Sequence, residues 1–287
     1  MNLAYRTALT LIALGLFAGC DSDPAPKVAN TPAMTAELLP SDPAVMTPLQ
    51  RAEAGKALWE EKCRTVAGEK IYKTVPDVEG IVLLKVRPEA SQRQWADPMW
   101  PGAAFALEAR ADEYITTFLG YEYATGSKGI PNEITKERRG YIATDRRFGL
   151  MEHPGYRYVD VIDEKDERRY RYVLIQKPRP TSKIGWVDTV LEKSPAPKLS
   201  PRYGVTFEDH VIPEDRALGV ASSTVKVVDL KTGEVLGEML RYAWSTPASR
   251  VNPNPWLTAY KCPGHAVGSG SATRKFVDQV LIPRKEQ

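Results

Sequence analysis

The chain has 287 residues, with 39 Lys and Arg against 36 Asp and Glu, a formal charge of +3 at pH 7. The two signs are interleaved rather than blocked, which excludes the concentrated basic stripe of a nucleic-acid surface, so no nucleic-acid partner is expected. Only three histidines and three cysteines are present, which limits both acid–base chemistry and metal ligation from the outset.

The first residues carry one cation, Arg6, followed by an apolar run from Ala8 to Ala18 broken only by Thr10 and Gly15. That run has the length of a signal-peptide core and falls short of the roughly 20 apolar residues that span a bilayer. It ends in Leu16, Phe17, Ala18, Gly19, Cys20, which resembles the lipobox of bacterial lipoproteins, where small residues precede a cysteine that is lipidated before cleavage. Phe17 stands where the family prefers an aliphatic residue. The resemblance implies a signal peptide over residues 1–19, a diacylglyceryl group on Cys20, and a chain held on a membrane of the cell envelope facing the periplasm. An ordinary secretory signal with an incidental Cys20 is the alternative. Asp21 resembles the signal that keeps some enteric lipoproteins at the inner membrane.

Residues 20–46 are rich in Pro, Ala, Thr, Ser and Asp with little apolar periodicity, and read as an extended tether. Two or three acyl chains on one cysteine hold a protein durably, so the membrane is the first expected partner and residues 47–287 can be a soluble globule. Roughly 240 residues suffice for one large or two small domains with a real core.

With Cys20 assigned to lipid, Cys63 and Cys262 remain, and in an exported protein two thiols usually pair. Such a disulfide would close a loop of 199 residues, for which chain entropy gives at most about 5 kcal/mol, and would favour one domain over two. A metal site or catalytic thiol is the competing reading. It lacks a Cys-x-x-Cys and a histidine at ligand spacing; His265 follows Cys262 by three residues, but no further ligands accompany it. No metal and no cofactor are expected.

Thr47 to Lys70 places Leu49, Ala52, Ala54, Ala57, Leu58, Trp59 and Cys63 near a 3.6 period, predicting a helix with Thr47 as cap before Pro48. Glu79 to Arg87 carries Ile81, Val82, Leu83, Leu84 and Val86, the pattern of a strand covered on both faces. From Gln92 to about Pro154 the pattern weakens. Trp95, Pro98, Trp100, Pro101 and Gly102 make an aromatic, breaker-rich loop that either packs on the sheet or lines a ligand groove. Gly126, Gly129 and Pro131 continue the irregularity, and Arg138, Arg139, Arg146 and Arg147 flank Tyr141; they read as a solvated loop, with an anionic-ligand or headgroup site as the alternative.

Two hairpins follow. Tyr156 to Ile162 and Tyr170 to Ile175 alternate around a charged turn at 163–167, predicting a tyrosine-bearing face and an aliphatic, core-facing one. Thr224 to Leu230 and Glu234 to Trp244 flank Lys231, Thr232 and Gly233, with glycine supplying a positive φ. The Asp-x-x-Thr-Gly-Glu pattern of this turn resembles those of β-propeller blades but occurs once, which does not support a propeller. Tyr203 to Phe207 reads as a short strand, the Gly/Ser-rich 267–272 as a flexible lead, and Ala272 to Leu281 as a terminal helix. The expected fold is therefore α+β: a mainly antiparallel sheet with an N-terminal and a C-terminal helix packed on it, in a single domain over 47–287. Segments 62–87 and 203–244 resemble uncharacterised proteobacterial envelope proteins, which implies no activity.

The best catalytic candidate is Asp209 with His210, beside Glu208 and followed by Glu214 and Asp215, since a carboxylate can orient an imidazole and raise its basicity. A solvated polar loop, with Pro213 at an exposed turn, is the other reading. Nucleophile elbows, Ser-x-x-Lys in its usual context, P-loops, dinucleotide fingerprints and His-Glu-x-x-His are missing; Glu208 with Asp209, or Glu214 with Asp215, could serve as a glycosidase pair only if a cleft brought them to a substrate. The expectation is a non-enzymatic lipoprotein acting as a binding or assembly component with an envelope protein partner. The alternatives are a hydrolase of an envelope polymer using Asp209 and His210, and a small-ligand site near Trp95 and Trp100.

Overall fold

The computed structural model describes residues 42–107, 111–119, 121–123, 141–142, 153–178, 187–263 and 272–284. The leader with Cys20, the tether up to residue 41, the four arginines around Tyr141 and the glycine-rich 264–271 lie outside the described residues. Residues Leu39–Gln287 cluster as one unit.

Helix α1 spans Pro48–Thr65. Thr47 Oγ1 accepts from the Gln50 amide at 3.2 Å and Gln50 Oε1 accepts from the Thr47 amide at 2.8 Å, a reciprocal capping box with Pro48 in the first helical position. The periodicity predicts a helix to Lys70, but the helix stops at Thr65. The amides of Val66 and Ala67 both turn back to the Lys62 carbonyl, and the next residues are taken by strand pairing. Strand β1 is Gly68–Ile71, β2 Val75–Val78, β3 Gly80–Leu83; then come α2 at Gln92–Ala96, a 3-10 turn at Ala103–Leu107, α3 at Asp112–Phe118, and short strands β4 Tyr121–Tyr123, β5 Tyr141–Ile142 and β6 His153–Pro154. Strands β7 Tyr158–Ile162, β8 Arg169–Pro178, β9 Val187–Pro195 and β10 Tyr203–His210 precede α4 at Pro213–Ala217. The chain closes with β11 Val220–Asp229, β12 Val235–Trp244, a 3-10 turn at Pro255–Thr258, β13 Tyr260–Cys262, α5 Ala272–Val280 and β14 Leu281–Pro283.

Ten strands form one sheet in the order β1-β12-β11-β10-β3-β7-β8-β4, with β13 also on β12 and β9 also on β8. The architecture is mixed α and β around a large, mostly antiparallel sheet. Its exceptions are β3 at the centre, which runs parallel to both β10 and β7, and β4 at the end of the order, which runs parallel to β8. All four residues of β3 are buried, as its continuous apolar run requires of a strand enclosed on both faces and both edges.

One face carries Ile81, Leu83, Val159, Val205, Phe207, Val225, Val227 and Met239, packed with Tyr114, Ile115 and Phe118 of α3 and Phe276, Val277 and Val280 of α5. The same face continues past Ala221 and Ala243 into a cluster of Trp95, Trp100, Phe105 and Trp256. On the opposite face Val220, Tyr242 and Trp244 meet Ala52, Leu58 and Trp59 of α1.

The first hairpin departs from its expected faces. Val159 lies opposite Tyr172 and Val161 opposite Tyr170, and directly opposed residues share a face. The core side therefore carries valines from β7 and Tyr172 with Leu174 from β8, while Asp160 and Arg171 share the other. There the fully buried Asp160 accepts from Arg171 Nε at 2.7 Å and Nη2 at 3.1 Å, with Arg169 Nε at 3.4 Å and the Arg171 guanidinium 3.6 Å from the Tyr158 ring centroid. The six-residue turn displaces the two alternations by one step, so the tyrosines of the two strands point to opposite faces.

The second hairpin closes as expected, with Gly233 at φ +74°. The carboxylate of Asp229 accepts from Arg202 Nε at 2.9 Å and Nη2 at 2.6 Å and from the Lys231 amide at 3.0 Å. The Arg202 bonds, aided by that amide, hold Asp229 at a pKa of about 2, below the ordinary 3.8. A carboxyl whose folded pKa is depressed stabilises the fold above its unfolded value and loses that contribution as pH falls toward the folded one. Asp229→Asn is thus expected to flatten the loss of stability between about pH 4 and pH 2, read as melting temperature against pH; an unchanged acid limb would show that Arg202 is solvated away from it.

Candidate functional site

Three fully buried arginines, Arg87, Arg216 and Arg241, lie along the border between the two apolar clusters of the first face. The sheet register lines up Asp209 of β10 opposite Ser223 of β11, and Ser223 opposite Arg241 of β12, so the three side chains form one polar row on one face. Arg87, in the chain leaving β3, lies against it. Its Nη1 donates to both Asp209 carboxylate oxygens at 3.1 Å and its Nη2 donates to Ser223 Oγ at 3.1 Å, while Ser223 donates to Asp209 Oδ1 at 2.6 Å. The guanidinium also lies 4.0 Å from the Phe207 ring centroid, and Arg87 and Arg241 both lie within 6 Å of the Phe105 ring, the geometry of cation–π contact.

Arg216, from α4, forms the outer end of this belt. Its Nη2 donates to the carbonyls of His210 at 3.0 Å and Pro101 at 3.3 Å, its Nη1 to that of Pro98 at 3.4 Å, and Trp256 lies 5.2 Å away. Burial is the largest influence on this guanidinium and pulls its pKa down to about 10. Trp256 Nε1 donates to the Asp97 carbonyl at 2.7 Å, so the 97–101 loop is pinned from two sides. The loop's Trp95 and Trp100, 5.0 Å apart in an edge-to-face pair, are core residues packed on Trp256 rather than the rim of a groove.

The segment holding Phe105 is bracketed by Ala103 at φ +40° and Ala111 at φ +47°, conformations that cost an L-residue with a side chain free energy and persist only where surroundings impose them. Arg87 Nε and Arg216 Nε are buried without an acceptor among the described residues. Chemically the belt offers fixed positive charge and one carboxylate already committed to two donors, Arg87 Nη1 and Ser223 Oγ. It contains neither a free base nor a nucleophile placed to use one.

Asp209 and His210 do not meet. They are successive residues of β10, and successive strand residues point to opposite faces. Asp209 enters the arginine belt, whereas His210 Nε2 lies 2.9 Å from Thr224 Oγ1 on the other face. The strand runs on to His210 instead of ending at Phe207, and Pro213 opens α4 rather than an isolated turn. Glu208 is exposed on the His210 side, and Glu214 and Asp215 occupy the first turn of α4; burial raises the pKa of Asp215. No group of three His, Cys, Asp or Glu able to hold a metal is found among the described residues.

A second cluster lies on the other face of the sheet. Cys63 and Cys262 are joined in a disulfide with Cα atoms 5.8 Å apart, tying the last turn of α1 to β13. Beside them Trp59, Trp244 and Tyr260 form a mutual aromatic cluster, with Trp244 6.3 Å from Trp59 and 5.7 Å from Tyr260, both stacked.

No protein family, characterised protein or solved structure matches this chain in sequence or fold comparison.

Proposed function

We propose that this chain is an exported lipoprotein of the bacterial cell envelope, anchored to a membrane through acyl chains on Cys20, facing the periplasm, and acting as a binding or assembly component for an envelope partner. The observation that carries the reading is the Cys63–Cys262 disulfide, because disulfides form and persist in oxidising compartments outside the cytoplasm. The hydrophobic leader ending in Leu16 to Cys20 supports the same address. On this reading the two terminal helices, α1 and α5, are the covers of a rigid sheet, and a hydrolase built on Asp209 and His210 is disfavoured by their opposite orientation.

The test is made in the producing cell. The mature protein is expected in the membrane fraction, beginning at Cys20 with a mass increment of two or three acyl chains, and Cys20→Ala should move it to the soluble fraction or leave its leader uncleaved. Recovery of the full-length chain from cytosol with Cys20, Cys63 and Cys262 all as free thiols would sink the proposal.

A further inference from the structure

The attachment of α1 differs from that of α5. Helix α5 is bonded to the body through the Thr74 hydroxyl on the Gln279 carbonyl, Gln279 Nε2 on Glu69, and Arg274 on the Thr117 carbonyl. Helix α1 makes no hydrogen bond or ion pair to the sheet among the described residues; its side-chain bonds are local, such as Lys56 with Glu60. Only Gly55 of its residues is fully buried, and Ala52, Leu58 and Trp59 are half-buried against Val220, Tyr242 and Trp244. Apolar contact of this modest kind is the mark of an element drawn from the low-stability end of a structure.

Two covalent links hold it in place. One is the chain itself at Val66 and Ala67, leading into β1 on β12. The other is the disulfide. A helix joined at one point can swing about that point, whereas a second bond three residues away fixes its direction. With 18 residues the helix is about 27 Å long, so a small rotation at this hinge carries its far end clear of the sheet.

We infer that the Cys63–Cys262 bond is a redox lock on α1: reduction releases the helix as a flap and uncovers the aromatic face formed by Val220, Tyr242 and Trp244, while the sheet stays folded. Both cysteines are half-buried, open to an attacking thiolate, and Cys63 lies between Lys62 and Arg64 in sequence, cations that favour the departing thiolate. The reductant is a dithiol. Its first thiolate attacks one protein sulfur and expels the other, which takes up a proton. The second thiol then resolves the mixed disulfide, leaving two protein thiols and the oxidised reagent, two electrons having passed to the protein.

Hydrogen exchange of the full chain, oxidised and after treatment with dithiothreitol, tests this, with the appearance of two thiols measured by alkylation and mass. Exchange across 48–65 is expected to accelerate at least about tenfold and acrylamide quenching of tryptophan to increase, with β10–β12 and α5 still protected. The variant Cys63→Ser with Cys262→Ser should show the same pattern without reagent. Unchanged protection of 48–65 after complete reduction overturns the inference, and so does simultaneous loss of protection in helix and sheet, which would make the bond a general staple.

Discussion

Replacing Asp209 by alanine is expected to lower the free energy of unfolding by about 3–5 kcal/mol, the range for removing one partner of a buried ion pair. Arg87 is 1% exposed and rests on the Asp209 carboxylate through both oxygens, so the substitution leaves a guanidinium with no counter-charge in direct contact and also strips Ser223 of its acceptor. The loss should exceed that of His210→Ala, whose ring makes one hydrogen bond on the half-covered face, by at least about 2 kcal/mol. Urea denaturation of the two variants reads the difference. The joint replacement Arg87→Met with Asp209→Leu should recover much of it, because apolar residues of similar volume often match a buried pair in stability. A loss below about 1 kcal/mol for Asp209→Ala would mean that water reaches the belt.

The contrast between those two neighbours shows where linear reasoning about the site stops. Glu208, Asp209 and His210 are adjacent in sequence, and adjacency invites a dyad. Once the segment is a strand, adjacency guarantees separation, and the partner of Asp209 comes from 122 positions away. Nothing near Asp209 in sequence identifies Arg87. A signal existed in the company the arginines keep: Arg87 ends an apolar run, and Arg241 interrupts Leu240, Tyr242, Ala243 and Trp244. A charge inside a core-forming strand is either on its solvent side or paired, and deciding between the two needs the register.

Register also accounts for the uneven legibility of the fold. The β11–β12 hairpin was readable because its turn, residues 230–234, is short and carries a glycine at the required conformation, which confines the pairing. The β7–β8 turn is longer, and the number of residues it absorbs decides whether Tyr172 joins Val159 or Arg171 does. Parity is not written in either strand alone. The parallel placement of β3 between β10 and β7 was invisible for a related reason: its pairings span more than 70 and 120 positions, and an apolar run specifies enclosure without naming its neighbours. Strand β9, whose Asp188, Glu192 and Lys193 break an apolar pattern, gives no periodic signal because it lies at the sheet's edge, a common place for charged side chains.

Gly55→Ala is expected to destabilise the protein by about 2 kcal/mol, although alanine is favoured over glycine in a helix by about 1 kcal/mol. The two effects oppose, and geometry decides. A Cβ at this position would stand 1.9 Å from the Leu218 carbonyl oxygen and 2.9 Å from Trp244 Nε1. The first neighbour is backbone, in the turn between α4 and β11, where Gly219 at φ +73° is itself held against the Ser245 carbonyl. That turn has little room to retreat, so the helix must move instead. The displacement should appear as faster exchange over 48–65 and as loss of the Trp59–Trp244 stacking in the near-ultraviolet spectrum, with the α5 side of the sheet unaffected. Because reduction releases α1 from the sheet and with it the contact of position 55 with Leu218 and Trp244, the penalty should shrink when the variant is reduced. A variant as stable as the parent, or more so, would show that α1 does not rest on this glycine and that propensity governs the helix after all.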